Sequence, residues 1–186
     1  MAHTEQQNYV ASVQKEYAGF FDSKTVLDVG SLDINGNNKG FFKNCDYTGI
    51  DIAEGKNVDV VSTGHTFNPL LDDGSVKLYD TIISTECFEH DKYYALTLNN
   101  IVRLLKPGGL FLFTCATIGR KEHGTRRTDT YSSPLTTQLE DWQDYYLNLT
   151  SEDIRKAIPV DEIFSKYEFA YNEEAKDLYF FGIKRS

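Results

Sequence analysis

Cysteine is scarce in this chain of 186 residues: Cys45, Cys87 and Cys115 are scattered and show no metal-ligand spacing. Two of them fall in or beside apolar strand patterns, so the three read as reduced thiols serving as small hydrophobes. Basic residues are also in deficit, 19 Lys and Arg against 28 Asp and Glu, a formal net charge of −9. That balance argues against a general nucleic-acid binder, because phosphate backbones reward a basic surface. No apolar run is long enough to cross a bilayer, and "MAHTEQQNYV" lacks the pattern of a signal peptide, so a cytoplasmic protein with no membrane partner is expected. No low-complexity tract and no fixed-period repeat occurs.

What is present fits one domain over 1–186 with one substantial core. Aromatics are plentiful, 12 Tyr and 12 Phe. Residues 4–21 carry Tyr9, Val10, Val13, Tyr17, Phe20 and Phe21 at helical spacing behind Thr4, a candidate N-cap. Short β-branched runs follow at "TVLDVG" (25–30), "YTGID" (47–51), "VDVV" (58–61) and "YDTIIS" (79–84). "GLFLFTCA" (109–116) is apolar on both faces, as a central parallel strand should be. A helical segment, 91–105, precedes it and closes in the Pro107-Gly108 turn. Such alternation predicts an α/β fold, a doubly wound and mostly parallel sheet. After a capped helix at 150–158, "YEFAYN" (167–172) and "DLYFFGIKR" (177–185) predict a C-terminal antiparallel hairpin.

Taken in order, these segments resemble the class I S-adenosylmethionine-dependent methyltransferases over nearly the whole chain. In that family a strand ending in an acid and a glycine-rich loop opens the cofactor site, and Asp28 and Gly30 in "VLDVGSLDINGN" (26–37) match its first acid and first glycine. "YDTIISTECFEH" (79–90) and "LLKPGGLFLF" (104–113) look like its fourth strand and the entry to its fifth, and the closing hairpin resembles its last two strands. The resemblance implies a Rossmann-like sheet of the seven-stranded type, S-adenosylmethionine as cofactor and methyl transfer as the reaction. It assigns the cofactor to Asp28, Gly30 and Ser31, to Asp51 with Ile52 at the ribose, to Thr63, Gly64 and His65 at the adenine, and to Ser84.

The opening loop departs from the family pattern: Leu32 and Ile34 stand where the second and third glycines usually are, and Gly36 arrives late. The need there is for backbone to approach the ligand with amide N–H groups aimed inward. The loop is read as a variant that still holds the cofactor, Ser31 supplying a hydroxyl and Asp33 or Asn35 taking turn conformations. The absence of G-x-G-x-x-G separates this reading from a nicotinamide oxidoreductase. A non-catalytic module that binds an adenosine ligand and scaffolds a partner is the alternative reading.

For chemistry, His123 is the first candidate base and Glu86 the second, since a histidine can take a proton from a hydroxyl or amine at neutral pH. Glu89 and His90 read as shaping the turn before the next helix, where an acid is stabilising in its own right. The segment 117–149 is long for a connection and reads as a substrate-side insertion. Within it Arg120, Lys121, Arg126 and Arg127 are either a solvated face or a receptor for an anionic group, with Arg120, Arg126 and Arg127 the substrate-binding candidates. Trp142, Tyr145 and Tyr146 either close over the site or pack on the sheet, packing being the commoner role. The expected acceptor is a small molecule, anionic or sugar-like, methylated on oxygen or nitrogen; no metal is called for by any ligand cluster in the sequence.

Overall fold

The computed structural model describes residues 4–186. The opening helix α1 (Thr4–Glu16) is shorter than its apolar spacing suggests, and a 3₁₀ turn at Ala18–Phe20 replaces its last part. Gly19 lowers helix propensity there, and the turn delivers Phe21 into the core. Seven strands follow: β1 (Thr25–Val29), β2 (Asp46–Asp51), β3 (Val60–Val61), β4 (Tyr79–Thr85), β5 (Leu105–Ala116), β6 (Phe164–Asn172) and β7 (Asp177–Lys184). They form one sheet in the order β3-β2-β1-β4-β5-β7-β6. β1 to β5 are parallel, and β7 pairs antiparallel with both β5 and β6.

The expected alternation of strand and helix holds only in part. Helix α2 (Tyr94–Leu104) joins β4 to β5, and α3 (Ser151–Ala157) and α4 (Val160–Ile163) precede β6. The β1–β2 connection carries only a 3₁₀ turn at Lys39–Phe41, and the links on either side of β3 carry no helix. Edge strand β3 is correspondingly short, with Val60 and Val61 both exposed. Thr150 caps α3 in a reciprocal box with Asp153, as the "T-x-x-D" spacing suggests.

Burial on both sheet faces follows from adjacent apolar residues pointing to opposite sides. Leu27, Ile82, Phe111 and Phe113 face α2 and α3, whereas Val26, Ile83, Leu110 and Leu112 face α1. The predicted Pro107-Gly108 turn is instead a bulge inside β5: Tyr79 pairs with Leu105 and Thr81 with Leu110, so four residues oppose Asp80 alone. Gly108 takes φ +73 there, the conformation glycine was expected to supply. Asp80 fixes the bulge against β1 by accepting from the Thr25 amide at 2.9 Å and pairing with Lys106 at 3.0 Å. Burial pushes its carboxyl up, but those bonds outweigh it and hold it at about 2.

Candidate active site

The carboxyl ends of β1, β2 and β4 open onto one cavity of about 880 Å³, mouth included. This is where open α/β sheets bind ligands, at the point where strand order reverses between β1 and β4. Its floor is the β1 loop from Gly30 to Asn38 and the end of β2 from Ile50 to Ile52. Ser62 and Gly64 close one side, Thr85, Glu86 and Cys87 the other. His90 and Asp91 stand behind them, and Ser132–Thr136 with Trp142 come over from the 117–149 segment.

The loop solves its missing glycines in a way the sequence did not suggest. The amides of residues 30–33 bond to the neighbouring backbone and to Asp51 and do not aim into the cavity. Gly30 and Ser31 donate to the Ile50 carbonyl at 2.9 and 3.0 Å, Leu32 donates to the Asp51 carboxylate at 3.0 Å, and Asp33 donates to the Lys56 carbonyl. Ser31 gives its hydroxyl to the Asn57 carbonyl at 2.9 Å, and the Asn57 amide returns a bond to Ser31. Asp33 closes the turn as acceptor for the Gly36 amide and the Asn37 side chain, with Lys56 at 2.7 Å. With the amides of residues 30–33 spent on β2 and the segment after it, this stretch of backbone forms no anion nest, and positive φ at a glycine occurs in the loop only at Gly30 (φ +79) and Gly36 (φ +136).

Two acids stand at the strand ends. Asp28 is buried; the Tyr47 hydroxyl donates to its Oδ2, and Oδ1 has no hydrogen-bond partner among the described residues. Burial pushes its carboxyl up to about 7, against the lowering effect of the Tyr47 bond. Asp51 accepts one bond on each oxygen, from Leu32 and from Ile52, which leaves each oxygen a lone pair at the cavity wall. Burial raises its pKa more than those two bonds lower it.

On the opposite wall Glu86 has φ +51, a conformation rare for a side-chain-bearing residue, and accepts from the Thr114 hydroxyl at 2.9 Å. Such strain persists where the surroundings over-determine it, and it clusters at functional sites. His123 is not in the cavity wall; its ring packs edge-on against His90, centroids 5.1 Å apart, and against Tyr146. Its Nδ1 lies 3.0 Å from the Lys121 carbonyl. A carbonyl only accepts, so that nitrogen carries the proton and Nε2 keeps a free lone pair.

The basic segment is not an open anion receptor. Arg126 pairs with Asp144 at 2.7 Å, and Arg127 with Glu122 at 2.8 Å, outside the cavity. Arg120 holds the buried Asp177 at 2.9 Å and stands 4.0 Å from Glu86. The physical reason is local: acids within the same segment and at the start of β7 neutralise these cations. Arg120→Ala is therefore expected to lower stability by roughly 2–3 kcal/mol, somewhat less than for a fully buried pair because Arg120 keeps some exposure. A urea midpoint unchanged in Arg120→Ala would free Arg120 for a ligand.

Among the other predicted cofactor residues, Gly64 is in the cavity wall but Thr63, His65 and Ser84 are not. Thr63 bonds Thr66, His65 packs at a tilt against the Tyr93 ring, and Ser84 donates to the Val29 carbonyl within the sheet. Sequence reasoning missed Asn38, buried in the wall and donating to Thr85, and the run Ser132–Thr136. It also favoured packing for Trp142, which lines the cavity while touching Tyr93. Only the length of the 117–149 segment signalled such a contribution.

A sequence profile described as "Methyltransferase domain" matches residues 1–150. No curated protein sequence matches the chain. Among solved structures, the chain is similar to 1,6-didemethyltoxoflavin-N1-methyltransferase of Burkholderia thailandensis, crystallised with its acceptor and S-adenosylhomocysteine (TM-score 0.58, 13% identity, 100% of this chain and 93% of that one). It is similar to the N-methyltransferase NodS of Bradyrhizobium japonicum WM9 in complex with S-adenosylhomocysteine (TM-score 0.57, 12% identity, 97% and 87%). It is also similar to an S-adenosylmethionine-dependent methyltransferase of Clostridium acetobutylicum (TM-score 0.60, 12% identity, 100% and 93%). At such identities these likenesses speak for the fold, which is the seven-stranded sheet described above. The profile covers most of the chain, and the chain belongs to the methyltransferase-domain family.

Proposed function

We propose that this enzyme transfers a methyl group from S-adenosylmethionine to an oxygen or nitrogen of a small polar molecule, sugar-like or anionic. The observation that carries the reading is Asp51, at the carboxyl end of β2, with lone pairs left at the wall of the cavity where the strand order reverses. The cavity suits the group. Leu32, Ile34 and Ile52 supply apolar surface for a base, and the two acids supply acceptors for hydroxyl and amino groups.

When bound, S-adenosylmethionine supplies an electrophilic methyl, so the chain's own work is alignment and handling of the acceptor's proton. Asp51 would orient the ribose, and Asp28 would take a donor on its free Oδ1. Glu86, rather than His123, is the proton-handling group in the wall. Ser132–Thr136 and Trp142 cover the acceptor side and limit water access. The acidic wall favours a cationic sulfonium over its neutral product.

Asp51→Asn is expected to weaken S-adenosylhomocysteine binding by about 10- to 100-fold, equivalent to roughly 1.4–2.8 kcal/mol, with the fold intact. Calorimetric titration of both proteins, followed by a methyl-release assay over hydroxyl and amine acceptors, tests the reading. Absence of heat from wild-type protein with either cofactor form overturns it. Tight binding without turnover on any acceptor would make this a binding module.

A further inference from the structure

We propose that Glu89, His90 and His123 form a binding site for a divalent transition-metal cation at the acceptor end of the cavity. One ligand atom from each of these side chains lies within 4.8 Å of the other two. Bonds of roughly 2.0–2.2 Å would bring ligand atoms on a common ion to about 3.4–4.4 Å from one another. The cluster therefore closes on an ion by small rotamer adjustments.

A second observation points the same way. Glu89 is fully buried and His90 is 4% exposed, yet neither Glu89 oxygen and neither His90 ring nitrogen has a hydrogen-bond partner among the described residues. Buried polar groups are ordinarily satisfied, and four unsatisfied atoms on two adjacent side chains are costly without something to bind. The surroundings hold the rings in place. His123 donates from Nδ1 to the Lys121 carbonyl, the backbone bond that typically orients a ligating imidazole. A Cβ on Gly124 would come within 2.7 Å of His90 Cε1, so glycine lets the loop close over that ring. The nearest guanidinium, Arg120, is committed to Asp177.

The donor set selects the ion. Two imidazoles and one carboxylate suit Zn²⁺, Mn²⁺ or Co²⁺ better than Mg²⁺ or Ca²⁺, which favour oxygen. The location assigns the ion a role, on the strength of the transferase reading above. His90 lies in the cavity wall, so a substrate oxygen is the natural further ligand. A hydroxyl bound to a cation loses its proton more readily and retains a lone pair for attack. An amine bound there would have its only lone pair engaged. The acceptor is thus a hydroxyl compound: its O–H bond breaks with the proton passing to the Glu86 carboxylate, an O–C bond forms, and the S–C pair returns to sulfur as a thioether.

The test uses untagged, chelator-treated protein. Calorimetric titration with MnCl₂ and with ZnCl₂ is expected to show one site per chain, with MgCl₂ much weaker. Glu89→Gln and His123→Ala, checked for folding by circular dichroism, are each expected to bind at least tenfold more weakly. Should either variant fail to fold, wild-type protein with CoCl₂ reads the same site through visible d–d bands that equimolar Zn²⁺ abolishes. Absence of saturable binding by Mn²⁺ and Zn²⁺, an unchanged affinity in both folded variants, or an aqueous Co²⁺ spectrum overturns the site. S-adenosylhomocysteine binding to the metal-free protein is measured alongside. Its retention without any cation binding sinks the metal site alone, and its loss beside intact cation binding sinks the transferase reading instead.

Discussion

Gly30→Ala is expected to remove roughly 2–5 kcal/mol of stability, combining the penalty of a left-handed side-chain-bearing residue with overpacking. Gly30 sits at φ +79 where β1 turns into its loop, and a Cβ there would lie 2.5 Å from Cys87 Sγ and 2.7 Å from Cys87 Cβ. Neither atom can retreat easily, because Cys87 is held between the end of β4 and the turn that carries Glu89 and His90. Against a total of about 5–15 kcal/mol for a single domain, the loss is large. Urea denaturation measures it directly. Truncating Cys87 to alanine leaves its Cβ in the way, so only Gly30→Ala combined with Cys87→Gly is expected to recover part of the loss. A loss under about 1 kcal/mol in Gly30→Ala would show that β1 and the β4 turn are not in the contact described, and the floor of the cavity would need redrawing.

The same stretch shows how far the sequence alone could be read. Asp28, Gly30 and Asp51 were found because their meaning is local: an acid or a glycine at the end of a short apolar run marks where a strand meets the cavity. The sheet itself was readable for the same reason, since Ile82-Ile83 and Leu110 to Phe113 cannot be buried unless both faces are covered. What stayed hidden depends on pairs far apart in the chain. That the loop's amides are consumed by Ile50 and Asp51 follows from the register of β1 against β2, which no residue type announces. Arg120, Arg126 and Arg127 looked free because Asp177, Asp144 and Glu122 were not yet known to face them. Glu89, His90 and His123 have no ligand spacing in sequence, the two histidines standing 33 positions apart, and converge only when the segment after β5 folds back across the end of β4.

Asp28→Asn should change the pH profile of stability more than any other single replacement of a carboxyl in the sheet. The native pKa of about 7 stands above the ordinary carboxylate value because the group is buried. A raised acid is neutral in the folded protein at pH values where the unfolded chain has already released its proton. The unfolded state then binds fewer protons, so stability falls as pH rises from about 4 to 7, by 1.36 kcal/mol per unit for this one group. Over that window the loss is on the order of 4 kcal/mol, reached in full above the native pKa. Asparagine cannot ionise, and its carbonyl can still accept from the Tyr47 hydroxyl. The other carboxyls titrate alike in both proteins, so the difference between the two profiles isolates Asp28. Urea midpoints measured between about pH 5 and 8 should show the variant gaining on the wild type as pH rises. Parallel profiles would mean that Asp28 keeps an ordinary acidity, and hence that water or a cation reaches its second oxygen in the folded protein. The same ionisation bears on function: near pH 7 the group passes between hydrogen-bond donor and acceptor at the cavity floor, and asparagine, presenting both an acceptor and a donor there at every pH, should make cofactor affinity insensitive to pH across that range.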